Sequence, residues 1–258
     1  MRDRSRWLTL GSALCALALV TGCSRFFGPQ TEATATDGLP SVGVLVADGA
    51  HWCTASVVDS PGRNVIATAG HCVMNVDEDG RVEDLTEQDL AFAPGFRGSG
   101  EGDAPYGMWR VKGAHLDDRW KHQADDRADF AFLTLEPDDR GRDVQDVVGA
   151  SVPQWDSGFD RDVVVYGYPD SEHNPGNRQI SCRTRTERDE EEPFMLTFTC
   201  GGFWTGTSGS PFLTDFGGPG RPGRVIAVLS GGETDDVSTA VLFTDATRKV
   251  YEAAVAAG

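Results

Sequence analysis

The sequence predicts an all-β protein, a barrel or a sandwich, from three observations. Short apolar runs alternate with turn residues from Leu39 onward. The 31 glycines and 13 prolines punctuate those runs at irregular spacing, as many short strands joined by turns require. A length of 258 residues with 39% apolar content allows one large domain or two small ones, and two packed β-barrels fit that size.

The expected strands are residues 41–47, 54–58, 65–68, 108–112, 130–135, 163–166, 179–183, 195–200, 211–214, 225–230 and 240–244, joined by Gly, Pro and Asp. Tyr166-Gly167-Tyr168-Pro169 reads as the end of one strand and a turn. Residues 183–192 are dense in charge and lie between two cysteine-bearing strands, which suits a solvated hairpin tip, with substrate contact as the lesser reading. One helix, 245–257, closes the chain. Thr244 or Asp245 caps it, and Val250, Tyr251, Ala254 and Val255 share one face.

The first residues stand outside this pattern. Arg2, Arg4 and Arg6 form a basic start, and an apolar run follows from Leu8 to Val20. The run is too short to span a bilayer as a helix and suits a secretory signal peptide over residues 1–22. It ends in Val20-Thr21-Gly22-Cys23, which resembles the lipobox of bacterial lipoproteins. That resemblance implies lipidation (palmitate) of Cys23, which would hold the protein on the extracellular face of the cell membrane. A signal peptide cut elsewhere would leave it secreted. Residues 23–38, rich in Thr, Ala, Pro and Gly without apolar period, read as a flexible tether to a domain at 39–258.

A net charge of −17 repels phosphate backbones, so no nucleic acid partner is expected, and the charge reads as solubility. Of six cysteines, Cys15 leaves with the signal peptide and Cys23 is taken by lipid. Cys53, Cys72, Cys182 and Cys200 remain, enough for two disulfides in an oxidising compartment, with the connectivity open. No C-x-x-C spacing suggests zinc. Asn75, Asp77, Asp79, Gly80 and Glu83 loosely follow a calcium loop, but Thr86 stands where a bidentate Glu is needed, so the segment reads as an exposed acidic loop. No metal and no cofactor are expected.

Three pieces carry chemistry, in the order His, Asp, Ser: Thr68-Ala69-Gly70-His71-Cys72, Ala128-Asp129-Phe130-Ala131-Phe132-Leu133, and Gly206-Thr207-Ser208-Gly209-Ser210-Pro211. A serine hydroxyl is a poor nucleophile until a base takes its proton. A neutral imidazole does this near physiological pH, and a buried carboxylate fixes its tautomer and stabilises the imidazolium. His71 ends one apolar strand and Asp129 opens another. Asp125 and Asp126 lie near Asp129 but precede no alternating strand. His51, His115, His122 and His173 lack the Ala-Gly-His-Cys setting and read as surface or packing residues.

In these motifs the chain resembles the trypsin-like, chymotrypsin-fold serine peptidases over roughly residues 39–258. It resembles the bacterial branch that includes the glutamyl endopeptidases, which favours Gly-x-Ser-Gly-Ser-Pro. The resemblance implies two packed six-stranded antiparallel β-barrels, about 39–145 and 146–244, with the C-terminal helix after them and the site in the cleft between them. It implies Ser208 as nucleophile, His71 as base, Asp129 as orienting acid, and the amides of Gly206 and Ser208 as the oxyanion hole. It further implies disulfides Cys53–Cys72 and Cys182–Cys200, a primary pocket walled by Gly202, Ser230, Gly231 and Gly232, a protein or peptide substrate, and a monomer.

The departures are specific. Thr207 replaces the Asp that pairs with a new N-terminus after zymogen cleavage, which puts that activation route in doubt. Trp204 stands where animal enzymes place a cysteine, and Gly202 where trypsin-type enzymes anchor Lys or Arg. Leu229 precedes Ser230, where glutamyl endopeptidases place His, so a hydrophobic or small residue at the cleaved bond is expected. The rival readings are a catalytically inactive, membrane-tethered binding protein on the same scaffold and a structural envelope lipoprotein.

Overall fold

The structure, a computed structural model, describes residues 28–76, 82–98, 103–232 and 234–258. The signal segment 1–22, Cys23, and Asp77, Asp79 and Gly80 of the acidic loop lie outside the described residues.

A two-residue strand β1 (Thr34–Ala35) precedes the first barrel. That barrel comprises β2 (Val42–Ala47), β3 (Ala50–Val58), β4 (Val65–Thr68), β7 (Ala91–Pro94), β8 (Trp109–Leu116) and β9 (Ala131–Leu135), closed in the order β2-β3-β4-β9-β8-β7. A small hairpin, β5 (Met74–Val76) and β6 (Val82–Asp84), lies between β4 and β7 in the chain, and helix α1 (Asp118–Gln123) between β8 and β9. Helix α2 (Val144–Val148) and β10 (Val152–Pro153) lead to the second barrel. Its strands are β11 (Arg161–Gly167), β12 (Ile180–Arg188), β13 (Met195–Thr199), β14 (Pro211–Thr214), β15 (Arg224–Gly232) and β16 (Val237–Leu242). They close as β11-β12-β13-β16-β15-β14, every pairing antiparallel. Two six-stranded antiparallel barrels are thus the architecture that the family resemblance implies.

The strands form where side chains divide between an apolar interior and the outside. β12 shows the period of two: Cys182, Thr184 and Thr186 are buried, while Arg183, Arg185 and Glu187 are exposed. β4, Val-Ile-Ala-Thr, is buried on both faces because Val65 and Ala67 pack into one core cluster and Ile66 into another. β7 was not among the expected strands. Its run Ala91-Phe92-Ala93-Pro94 is short and half alanine, so strand propensity is weak, and burial of Phe92 together with pairing to β2 decides its state. Helices α1 and α2 are short, and α1 is capped locally, with Asp117 Oδ1 accepting from Arg119 N at 2.9 Å.

Within the segment expected as a flexible tether, 23–38, residues 30–36 are paired to the second barrel. Thr34 and Ala35 of β1 pair with Ser181 and Ile180 of β12. Ala33 N donates to Gly201 O at 2.9 Å, and Gly201 N donates to Thr31 O at 2.9 Å. The physical reason is main-chain satisfaction. Small residues without apolar period still carry amides, and here the edge of β12 and the segment after Cys200 take them up.

Helix α3 (Asp245–Ala257) starts as expected. Thr244 Oγ1 accepts from Ala246 N at 3.3 Å, and Thr247 Oγ1 accepts from Thr244 N at 3.1 Å. The helix follows the second barrel but packs back on the first. Tyr251 lies edge-on to Phe132 of β9, with ring centroids 5.5 Å apart, and donates its hydroxyl to Asp59 O at 2.6 Å. Phe243 touches Phe132 (5.6 Å) and stacks on Trp155 (5.7 Å), so one aromatic cluster joins both barrels.

Both disulfides connect as the resemblance implies. Cys53–Cys72 ties β3 to the turn after β4, and Cys182–Cys200 ties β12 to the end of β13. Each closes a loop of about 20 residues, worth roughly 3 kcal/mol on the chain-entropy account. The first braces the His71 loop, and the second braces the segment that leads to Ser208. Among the described residues no helix is long and apolar enough to cross a membrane.

Candidate active site

His71 sits in the turn that follows β4, and Asp129 in the turn that precedes β9. β4 and β9 are neighbours in the first barrel, with Thr68 paired to Ala131, so the two residues meet at one end of the sheet. The contact is double. Asp129 Oδ1 accepts from His71 N at 2.8 Å, and Asp129 Oδ2 lies 2.8 Å from His71 Nδ1. Ser230 Oγ of β15 donates to the same Oδ2 at 2.5 Å. Three donors therefore hold a carboxylate that is only 3% exposed, while the imidazole stays 27% exposed. A carboxylate so placed remains an acceptor, which fixes the proton of His71 on Nδ1 and leaves Nε2 able to accept one. Burial works against charging the ring, but the charge of Asp129 and its hydrogen bond outweigh burial and raise the His71 pKa above the usual value.

Trp120 of α1 closes the far side of this pair. Its Nε1 donates to Met74 O at 2.8 Å, and its ring stands 6.5 Å from that of His71. The rival carboxylate Asp125 is engaged elsewhere: it caps the short turn at 126–128 and pairs with Arg127 at 2.7 Å.

Ser208 arrives from the second barrel, on the turn before β14. Gly209 shows how closely that turn approaches the first barrel. It has φ +83°, and a Cβ there would lie 2.2 Å from Thr54 O, 2.3 Å from Thr68 Oγ1 and 3.0 Å from Ala69 N. Only glycine fits, and the fit brings Ser208 beside the segment that carries His71. No hydrogen bond joins His71 Nε2 to Ser208 Oγ among the described residues; catalytic hydrogen bonds often tighten only when substrate is bound.

The main chain around Ser208 divides in two. Thr207 N donates to Trp204 O at 3.1 Å, Gly209 N to Leu229 O at 2.8 Å, and Ser210 N to Thr207 O at 3.0 Å. The N–H groups of Gly206 and Ser208 have no acceptor among the described residues. Two unpaired amides beside a serine make a cradle for a developing oxyanion. Thr207 is buried and gives its hydroxyl to Trp204 O at 2.7 Å, so no charge is buried at this position.

Among the residues expected to wall the pocket, Gly202 (φ +95°) presents its bare Cα toward Ala33, 3.4 Å from where a Cβ would stand. The N-terminal strap therefore backs this wall, which the sequence reading missed together with β1. Gly231 and Gly232 end β15 beside Ser230, and Gly231 O accepts from Thr239 Oγ1 at 3.5 Å. His173 stacks on Trp204 at 4.7 Å and lies 3.0 Å from Asp170, which agrees with a packing role. His51 is closer to the site than a surface residue would be. Its ring edge lies 3.3 Å from where a Gly206 Cβ would stand, and neither ring nitrogen has a partner. Cys53, His71 and Cys72 are a cluster of metal-ligand residue types, but the two sulfurs are joined to each other and offer no thiolate.

Two barrels with a histidine–aspartate pair and a glycine-flanked serine turn in the cleft between them define a serine-type endopeptidase of the chymotrypsin fold. Residues 29–250 match the trypsin family, and the chain belongs to that family. No curated protein matches the sequence. Among solved structures the chain is similar to the protease Anisep from Arthrobacter nicotinovorans, with 21% identity and TM-score 0.74 over 87% of this chain and 99% of that one. It is similar to the thermostable serine protease AL20 from an extremophilic microorganism, with 24% identity and TM-score 0.73 over 86% of this chain and 100% of that one. It is also similar to a Glu endopeptidase solved in complex with MPD, with 17% identity and TM-score 0.70 over 88% and 98%. At these identities the likeness speaks for the fold.

Proposed function

We propose that the protein cleaves peptide bonds through an acyl-enzyme, with Ser208 as nucleophile, His71 as general base and Asp129 as orienting acid. His71 Nε2 takes the proton of Ser208 Oγ as the oxygen attacks the scissile carbonyl. The tetrahedral oxyanion receives the N–H groups of Gly206 and Ser208, and each such donor is worth on the order of 2.7–4 kcal/mol in the transition state. The imidazolium then protonates the leaving amine, and water reverses these steps on the acyl-enzyme. The reading rests most on Asp129, which is buried and accepts from His71 N, His71 Nδ1 and Ser230 Oγ at once. A carboxylate that only balanced charge would not need to grip both the ring and the main chain of one histidine.

Gly202 places no charge at the primary pocket, and its neighbour is Ala33, which supports a small or hydrophobic residue at the cleaved bond. A second reading, a basic residue there, is favoured by one observation: Glu32 Oε2 and Asp236 Oδ1 both lie within 3 Å of where a Gly201 Cβ would stand, at 2.6 and 2.9 Å. Residues 1–22 act as signal peptide in this proposal, and a lipid on Cys23 holds the enzyme at the extracellular face of the membrane. The domain works as a monomer without a cofactor.

A fluorophosphonate probe labels the folded protein, and Ser208→Ala abolishes the label without moving the melting temperature by more than a few degrees. Folded wild-type protein that takes no label would instead be a binding protein on a peptidase scaffold. A peptide library with hydrophobic, small, acidic and basic residues at the cleaved position then separates the two pocket readings.

A further inference from the structure

We propose that Thr54 is a positioning residue: from the first barrel, its side chain and main chain together fix the nucleophile turn of the second. The proposal rests on the assignment of Ser208 and His71 above.

Base and nucleophile come from different barrels, so their separation depends on how the barrels dock. Thr54, on β3, is fully buried and reaches every segment that matters. Its N donates to Ser208 O at 2.9 Å, and its Oγ1 donates to Gly206 O at 2.9 Å. Those are the two residues whose own amides lack acceptors. The same Oγ1 accepts from Tyr168 N at 3.0 Å, just past the end of β11. Thr54 O accepts from Thr68 Oγ1 at 2.8 Å, three residues before His71. One residue thus links the oxyanion cradle, the nucleophile, the second barrel and the strand end that carries the base.

The chemistry requires a hydroxyl. Only a group that donates and accepts at once satisfies Gly206 O and Tyr168 N together. Valine has the shape of threonine but leaves both main-chain groups buried and unpaired, so the turn must move to find other partners. A shift well under 1 Å at Gly206 misdirects an amide whose value lies in being aimed before the reaction begins. The loss falls on the transition state, so kcat drops while substrate binding holds.

The test compares Thr54→Val, Thr54→Ser and Thr54→Ala with wild type. Readouts are kcat and KM on the best library peptide, the rate constant for fluorophosphonate labelling, and the melting temperature. Thr54→Val lowers kcat and the labelling rate together, by about 10- to 100-fold, with KM changed less than about threefold. Thr54→Ser, which keeps the hydroxyl, recovers to within about threefold of wild type. If valine does not fold, alanine against serine decides, since serine must exceed alanine by about 10-fold. A valine variant with wild-type kcat, or a serine variant as poor as alanine, overturns the proposal. Wild-type protein that labels normally beside an unaffected valine variant overturns only the role of Thr54, whereas unlabelled wild type overturns the assignment of Ser208 as well.

Discussion

Asp129→Asn leaves the fold in place and lowers kcat by about 10⁴, the scale of the same change in the well-studied serine peptidase triad. Asparagine keeps the size of aspartate and can still accept from His71 N, so the turn before β9 survives. What changes is the partner of Nδ1. An amide nitrogen turned toward the ring is a donor, which selects the tautomer with Nδ1 bare and the proton on Nε2, where it faces Ser208 and blocks proton uptake. Ser230 Oγ, which donates to the same Oδ2, then faces an amide nitrogen and loses its acceptor. The pH profile gives a second readout. Because Asp129 raises the His71 pKa, wild-type kcat/KM falls as pH drops through a value above the ordinary ~6.5. Below that value the ring is charged and cannot accept the serine proton. Without the carboxylate, residual activity titrates at lower pH. Steady-state kinetics from pH 5 to 9 check both statements. An unchanged acid limb in Asp129→Asn would show that the carboxylate does not govern the base.

Gly209→Ala removes activity and stability together. The added Cβ would meet Thr54 O at 2.2 Å and Thr68 Oγ1 at 2.3 Å, and both neighbours are fixed by the first barrel. The backbone at φ +83° adds strain of its own for any L side chain. Left-handed strain and overpacking together cost about 2–5 kcal/mol. The relief available to the chain is to lift the 206–210 turn away from β3, which separates Ser208 from His71. Urea unfolding reads the first effect as a lowered midpoint, and fluorophosphonate labelling reads the second as its loss. A Gly209→Ala protein with wild-type midpoint and label would mean that the turn is not seated as described.

Much of this site was legible because its chemistry is written in residue type. His71, Asp129 and Ser208 sit in short motifs whose order carries information, and Cys53, Cys72, Cys182 and Cys200 paired as the resemblance implied. β4 was legible as an apolar run, whereas β12 was expected only over 179–183: its charged half, 183–188, reads as a hairpin tip but continues the strand, with Arg183, Arg185 and Glu187 facing outward and Thr184 and Thr186 inward. What escaped was held by main-chain partners rather than by pattern. β7 is four residues with two alanines, and it exists because β2 and β8 flank it. The strap at 30–36 has linker composition, yet its amides pair with the segment after Cys200 and with β12. Thr54 follows a cysteine in an ordinary alternating strand, and nothing local distinguishes it from Thr134 or Thr184. Its importance arises only when a second barrel, more than a hundred residues later in sequence, docks against it. His51 was likewise indistinct in sequence and gains its setting from Gly206 and Tyr168.

A crystal structure of the fluorophosphonate adduct tests the central claim most directly. The account predicts phosphorus on Ser208 Oγ, one phosphonyl oxygen about 3 Å from the N–H groups of both Gly206 and Ser208, and the His71 ring still bound to Asp129. Phosphorus on any other side chain, or that oxygen turned away from the 206–208 amides, would contradict it.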